Sequence, residues 1–243
     1  MKVYGIIPAR YSSTRLRGKV LLDIGGKPMI QHVYERARKS SALDHLVVAT
    51  DDDRVWERVR GFGGEVVKTS PAHPSGTDRV AEAVRKLGLE DGDLVVNIQA
   101  DQPLFEPGMI GEIVGPFRED PNLPMAALIY PIHSPEELHN PSVVKVVCDK
   151  KGFALYFSRS PIPYVIAPNL PARYYKHIGP YAYRMDFLLK FTQLERGDLE
   201  RAESLEQLRA LENGYRIRMV VTQYDSQEVD TPEDLRKVRE ELI

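Results

Sequence analysis

The 243-residue chain has one cysteine, Cys148, and one tryptophan. A single thiol allows no intrachain disulfide and no cysteine-based zinc centre. Flanked by Val146 and Val147, Cys148 reads as a buried, inert thiol. Long apolar runs are missing too. The opening Met1–Pro8 stretch is too short an apolar run for a secretory signal, and nothing approaches the ~18 apolar residues of a membrane span. The expectation is a cytoplasmic protein with no membrane partner. There is no basic excess: 33 Lys+Arg stand against 35 Asp+Glu, a formal charge of −2, which argues against nucleic acid as a partner. Neither a Gly-x-Gly-x-x-Gly fingerprint nor a P-loop is present. Repeats and low-complexity segments are also absent. What remains is 42% hydrophobic and 28% charged, long enough for a sizeable core and too apolar for a disordered chain.

The first half alternates apolar runs with helical patterns. Val3–Ile7, Leu46–Ala49, Val66-Val67 and Leu94–Ile98 read as strands. Between them, Met29, Ile30, Val33, Tyr34 and Ala37 share a helical face, as do Val55 with Val59 and Val80, Ala83, Val84 with Leu87. Continuous apolar strands separated by helices imply βαβ units and a parallel sheet buried on both faces. The second half differs. Ala126–Tyr130, Val143–Cys148 and Phe153–Phe157 are strand-like, the last two forming a hairpin around Lys150-Lys151-Gly152. Four prolines make Ser160–Arg173 a surface excursion. Tyr181–Arg184 resumes strand character, Leu205–Leu211 is helical, and Tyr215–Gln223 alternates as a strand. Thr231-Pro232-Glu233-Asp234 opens a last helix, with Thr231 as its cap.

Candidate chemistry gathers at strand ends. The first strand runs into Arg10, Ser12, Ser13, Arg15, Arg17 and Lys19, a loop with four cations and no acid. Arg10, Arg15 and Lys19 would converge on an oligophosphate, helped by Ser12, Ser13 and backbone N–H groups. Asp101 follows another apolar strand and Asp230 precedes the last cap, and the two carboxylates would share a Mg²⁺. Ser75, Gly76 and Thr77 precede a helix, where Gly76 would admit a ligand to exposed N–H groups. Asp51-Asp52-Asp53 resembles the metal-binding Asp-x-Asp of glycosyltransferases, but acids opening the Arg54–Arg60 helix explain it better.

Together these segments resemble the 3-deoxy-manno-octulosonate cytidylyltransferase (CMP-Kdo synthetase) family. The match includes Ile7–Arg10, Ser13–Leu16, Gly18-Lys19, Ala49–Asp52 and His73–Arg79. It continues through Asn140-Pro141, Val143–Lys145, Ala154–Arg159, His177–Gly179, Tyr181–Arg184, Ser204–Arg209 and Val229–Leu235. The resemblance implies an α/β class, a mainly parallel Rossmann-like nucleotidyltransferase sheet with helices on both faces and an added antiparallel portion. It implies one domain over 1–243, with a CTP-binding part (1–123), a mixed sugar-binding and dimerisation lobe (124–224) and a metal-site segment with the last helix (225–243). The expected reaction transfers CMP from CTP to the anomeric hydroxyl of the sugar acid and releases pyrophosphate, for lipopolysaccharide synthesis, in a homodimer with Mg²⁺.

Site residues follow by resemblance. Pro8, Ala9, Arg10, Ser13, Arg15, Lys19, Pro74, Ser75, Gly76 and Gln99 would hold the nucleotide. Asp101 and Asp230 would hold the metal, and with Lys19 and Arg10 would carry catalysis. Arg79, Arg159, His177, Tyr181, Glu206 and Gln207 would meet the sugar acid, Arg159 as a fork on its carboxylate. In-line attack asks the protein mainly for positioning and charge stabilisation, with the metal activating the hydroxyl. The chain departs from the family pattern at Arg17, Val20, Ala100 and Gln102. A free backbone at 17 and 20 implies a more mobile loop, Ala100 requires a negative φ, and Gln102 removes a carboxylate beside the metal site. A related sugar acid, such as sialic acid or an amino-substituted octulosonate, is the second reading. A non-catalytic nucleotide-binding homologue is the third. Charge is also uneven: residues 1–39 hold nine Lys and Arg against Asp23 and Glu35, a net of +7, which leaves −9 elsewhere. That distribution suits a small triphosphate with its magnesium.

Overall fold

The computed structural model describes residues 1–12, 16–166 and 172–242. Ser13 and Arg15 of the expected phosphate loop, and part of the proline-rich excursion, lie outside the described residues. The chain begins with β1 (Val3–Ala9), a 3-10 turn (Lys19–Leu21), β2 (Asp23–Ile24), β3 (Lys27–Pro28) and α1 (Met29–Ala37). Then come β4 (His45–Thr50), α2 (Asp53–Gly61), β5 (Val66–Lys68), α3 (Gly76–Leu87), β6 (Leu94–Asn97) and α4 (Gly108–Glu119). The second half holds β7 (Met125–Pro131), α5 (Pro135–His139), β8 (Lys145–Cys148), β9 (Ala154–Ser158) and β10 (Tyr175–Arg184). It closes with α6 (Met185–Phe191), α7 (Asp198–Glu203), α8 (Leu208–Glu212), β11 (Ile217–Val221) and α9 (Pro232–Leu242).

The main sheet runs β5-β4-β1-β6-β10-β7-β11. β5, β4, β1 and β6 are parallel, as are β7 and β11. β10 runs against both β6 and β7, so it is the one reversed strand of this path among the described residues. β8 pairs with β10 and folds back on β9, which supplies the antiparallel portion expected from the hairpin pattern. Gly152 makes that turn at φ +78°, and Asp149 Oδ1 accepts the N–H groups of Lys151 and Phe153 at 2.8 Å each.

Strand periodicity splits the core between the two faces. Ile7, Val48 and Val96 join α1, α2 and α4 on one side, while Ile6, Val47 and Val95 join α3, α6 and α8 on the other. A third cluster sets Leu235 and Val238 of α9 against Ile24, Met29 and Val229. Each buried Val or Leu contributes roughly 1.5–3 kcal/mol, so this contact is what fixes the segment ahead of α9. The cap reading holds in detail. Thr231 Oγ1 accepts the Asp234 N–H at 3.2 Å and the Asp234 carboxylate accepts the Thr231 N–H at 2.8 Å, leaving the Asp230 carboxylate to face elsewhere.

Three elements differ from expectation. β10 starts at Tyr175 rather than Tyr181 and passes through Gly179-Pro180, where its register against β7 shifts. The helix expected at Leu205–Leu211 begins at Leu208, after a turn at Ser204 whose φ is +52°. Cys148 is half-buried rather than enclosed, and burial pushes its thiol up to about 11, which keeps it protonated and inert. Among the described residues, no helix is long and apolar enough to cross a membrane.

Candidate active site

β1 lies between β4 and β6, reached by the chain in opposite directions. Its carboxyl end is therefore a switch point, where parallel sheets open a crevice for ligands. Into this crevice come the loop after β1, the ends of β4 and β6, the start of α3, the middle of β10, and the segment before α9.

Lys19 sits at its centre. Gly18, at φ +69°, turns the chain, and its N–H donates to the Tyr11 carbonyl at 2.9 Å. A Cβ at Gly18 would press on the Tyr11 ring at 3.0 Å. The turn delivers the Lys19 ammonium 2.6 Å from Asp101 Oδ2 and 3.0 Å from Asp230 Oδ1. Burial would lower the Lys19 pKa, but attraction to and hydrogen bonds with Asp101 and Asp230 outweigh it and raise the pKa. The Val229 N–H donates to the Asp101 carbonyl at 2.9 Å, tying the two acidic segments together. Two carboxylates meeting on one cation form the donor set that Mg²⁺ takes when phosphate and water complete its shell, so the residues present fit that ion.

The side of the crevice expected to take the nucleotide is built by β1 and α3. A Cβ on Gly76 would reach ordinary contact with Pro8, so the end of β1 and the start of α3 touch. Ser75 caps α3 by accepting the Asp78 N–H at 3.1 Å. Arg10 Nη2 donates a long 3.4 Å bond to the Pro74 carbonyl. Gln99 Nε2 donates to the Gly179 carbonyl at 3.4 Å, joining the end of β6 to β10. These positions converge as expected, together with Ala9 at the end of β1.

A second group lies along β10. The His177 ring stacks on Tyr181 with centroids 4.7 Å apart and meets Phe157 edge-on. Its Nε2 is sealed from solvent with no hydrogen-bond partner, and burial lowers the ring pKa to about 4. Glu206 accepts the Thr77 hydroxyl at 2.7 Å, and its burial raises its pKa. Gln207 is buried beside it in sequence. Arg209 lies 3.6 Å from Glu206 and makes a bidentate pair with Glu200 at 2.7 and 2.6 Å, both side chains under 10% exposed.

Arg79 and Arg159 stand differently, because the protein already engages their guanidiniums. Arg79 is 1% exposed, donates to Thr69 Oγ1 at 2.5 Å and pairs with Asp51 at 2.9 Å. It is placed to brace the crevice wall rather than to face a ligand. Arg159 spans the carbonyls of Glu203, Pro141 and Ser204. Glu203 in turn accepts the Ser158 hydroxyl at 2.6 Å and the Arg159 N–H at 2.9 Å. Thr77 and Glu203 thus hold site residues in place without having been singled out for that role. Thr77 falls inside the His73–Arg79 motif, whereas no local signal marks Glu203. Asp52 caps α2, as the preferred reading of the acidic run had it.

Three of the four departures have a structural setting that accommodates them, and nothing in the structure explains Arg17. Val20 is buried in the 3-10 turn and Ala100 has no positive φ. Gln102 is 1% exposed, donates to Glu228 at 3.4 Å and packs so closely on Gly179 that a Cβ there would collide with it.

The neutral His177 carries a pH prediction. An unfolded histidine protonates near 6.5, whereas the folded ring does so only near 4. Its contribution to stability is complete above pH 6.5 and declines as pH falls from 6.5 towards 4. Thermal unfolding between pH 7 and 4.5 should show this decline, and His177→Gln should flatten it. An unchanged slope in the variant would locate the decline elsewhere.

The chain is similar to known proteins over nearly its whole length. A family model described as Cytidylyltransferase matches residues 4–217. The 3-deoxy-manno-octulosonate cytidylyltransferase of Syntrophus aciditrophicus is 60% identical over 242 residues, covering 100% of this chain and 98% of that protein. The enzyme of the same name from Geobacter sulfurreducens is 50% identical, covering 100% of both chains. A solved CMP:2-keto-3-deoxy-manno-octonic acid synthetase in complex with CTP superposes at a TM-score of 0.93. It has 47% identity and covers 100% of this chain and 98% of that one.

Proposed function

Because the chain belongs to the cytidylyltransferase family, we propose that it transfers CMP from CTP to the anomeric hydroxyl of 3-deoxy-D-manno-octulosonate, releasing pyrophosphate, as a step in lipopolysaccharide synthesis. The observation that carries the reading is Lys19 held on Asp101 and Asp230 at the switch point. The sugar hydroxyl oxygen gives its proton to solvent and forms a bond to the α-phosphorus while the α–β bridging bond breaks and pyrophosphate departs in line. Pro8, Ala9, Pro74, Ser75, Gly76 and Gln99 line the nucleotide, with the α3 N–H groups favouring anionic oxygens. Arg10 and Lys19 stabilise charge gathering on the leaving phosphates. A Mg²⁺ held by Asp101 and Asp230 would supply Lewis-acid neutralisation of the triphosphate and polarise the attacking hydroxyl.

The sugar acid lies along β10, over Tyr181 and His177, with Glu206 and Gln207 on one side. Arg159 meets its carboxylate by exchanging a backbone carbonyl for a stronger charged partner. Arg79 acts from behind, through Thr69 and Asp51. We assign residues 1–123 to the nucleotide, 124–224 to the sugar and a homodimer contact, and 225–243 to completing the metal site. The exposed Leu155, Tyr164 and Ile166 support a self-association surface in the middle part. The single cysteine, which can form no intrachain disulfide, supports a cytoplasmic location.

Pyrophosphate release with CTP, Mg²⁺ and 3-deoxy-D-manno-octulosonate tests the proposal. Turnover should require all three and exceed that with sialic acid by about 10⁴-fold, the scale at which a site of buried polar groups rejects a substrate that leaves them unpaired. No turnover of the octulosonate would refute it.

A further inference from the structure

Two carboxylates that are to bind a divalent ion already share a cation of the protein's own. Lys19 Nζ lies at contact distance from both, 2.6 Å from Asp101 and 3.0 Å from Asp230. The ammonium-bearing side chain is about half as exposed as either carboxylate, 11% against 23% and 24%, so it lies on the inner side of the pair. Among the described residues, no group of three or more His, Cys, Asp or Glu could hold a metal by itself.

A divalent ion approaching the nucleotide-free chain would therefore find two carboxylates and an ammonium already between them. Mg²⁺ sheds water reluctantly and needs near-octahedral oxygen ligands. Two carboxylates facing a positive charge 2.6 and 3.0 Å away are a poor substitute. The ammonium, for its part, leaves a charge-assisted double contact only for another anion. A triphosphate supplies both needs, with anionic oxygens for the lysine and for the metal.

Resting on the reading of Asp101 and Asp230 as metal ligands, we propose that Lys19 is the resident cation of the metal site. In the nucleotide-free chain it excludes divalent ions from Asp101 and Asp230. The triphosphate then draws it off, so metal and nucleotide enter as one exchange. The flexible four-carbon stem of a lysine suits this movement better than a planar guanidinium would. Loading is then cooperative: whatever the nucleotide adds to metal affinity, the metal adds to nucleotide affinity.

The test is Mn²⁺ binding to the nucleotide-free protein, followed by the electron paramagnetic resonance signal of the free ion. The wild-type chain should bind Mn²⁺ weakly. Lys19→Met should bind at least about tenfold more tightly, and adding Asp101→Asn to it should abolish the gain. Lys19→Gln serves as a second neutral variant should the methionine chain fail to fold. Equal Mn²⁺ affinity in the wild-type chain and the folded neutral variant overturns the exchange. The underlying metal assignment fails separately: with CTP present, Mn²⁺ uptake by the wild-type chain would be unaffected by Asp101→Asn. If that uptake depends on Asp101 while the lysine variant shows no gain, only the exchange is lost.

Discussion

Asp101→Asn is expected to lower kcat for pyrophosphate release by about a thousandfold or more, the loss of roughly 4 kcal/mol of transition-state stabilisation. Asparagine preserves volume and one oxygen but removes the charge that, on the proposed reading, balances a divalent ion and a triphosphate. The fold should be little affected. Lys19 retains Asp230 at 3.0 Å, and the Asp101 backbone keeps its bond to the Val229 N–H. Steady-state kinetics in Mg²⁺, beside a thermal unfolding curve, separates the two effects. The signature is a large fall in kcat with a melting temperature within a few degrees of wild type. An Asp101→Asn chain that turns over at the wild-type rate would remove Asp101 from the chemistry.

The second large effect falls on stability. Glu200→Ala leaves the buried Arg209 guanidinium without its bidentate partner, which costs about 3–5 kcal/mol when one half of a buried pair is removed. At this chain length, that corresponds to a fall in Tm of roughly 6–20 °C. The cost belongs to the orphaned charge rather than to the value of the pair. The double variant Glu200→Leu with Arg209→Met should therefore recover most of the loss. The pair also bears on the site. Arg209 lies 3.6 Å from Glu206, so a guanidinium released from Glu200 has the carboxylate proposed to meet the sugar as its next partner. At a temperature where the single variant is folded, KM for the sugar acid should rise more than KM for CTP. If the double variant is as unstable as the single one, packing rather than charge is the cause.

The parallel half was legible because its strands carry their own signal. Buried on both faces, β1, β4 and β6 read as unbroken apolar runs, and the helices between them show clear 3.6-residue faces. Loop cations and strand-end acids then followed from where parallel sheets open. β10 shows strand character in sequence only from Tyr181 because Gly179-Pro180 breaks the strand pattern, and only pairing to β7 and β6 carries the chain through it. α4 carries little helical signal because it holds Gly108, Gly111, Gly115 and Pro116, residues of low helix propensity. Its buried Met109, Ile110, Ile113, Val114 and Phe117 do keep helical spacing. α7 has no strong cap of its own. Glu212, from α8, accepts the N–H groups of Leu199 and Glu200 at its start. The Glu200–Arg209 pair was invisible for the same reason, since only the packing of two short helices brings those residues together. Lys19, Asp101 and Asp230 could be named as candidates, but not that they touch.

The hydrogen bond from Val229 to Asp101, with the docking of α9 behind it, also sets when the enzyme comes into being. Lys19 and Asp230 are separated by 211 positions, which a ribosome adding 5–20 residues each second covers in roughly 10–40 s. Through that interval the nascent chain can already pair β1 with β4 and β6, while its acidic crevice lacks the second carboxylate. The crevice is thus incomplete until the segment ahead of α9 has been made, and a chain truncated at residue 224 would carry every strand of the sheet without Asp230.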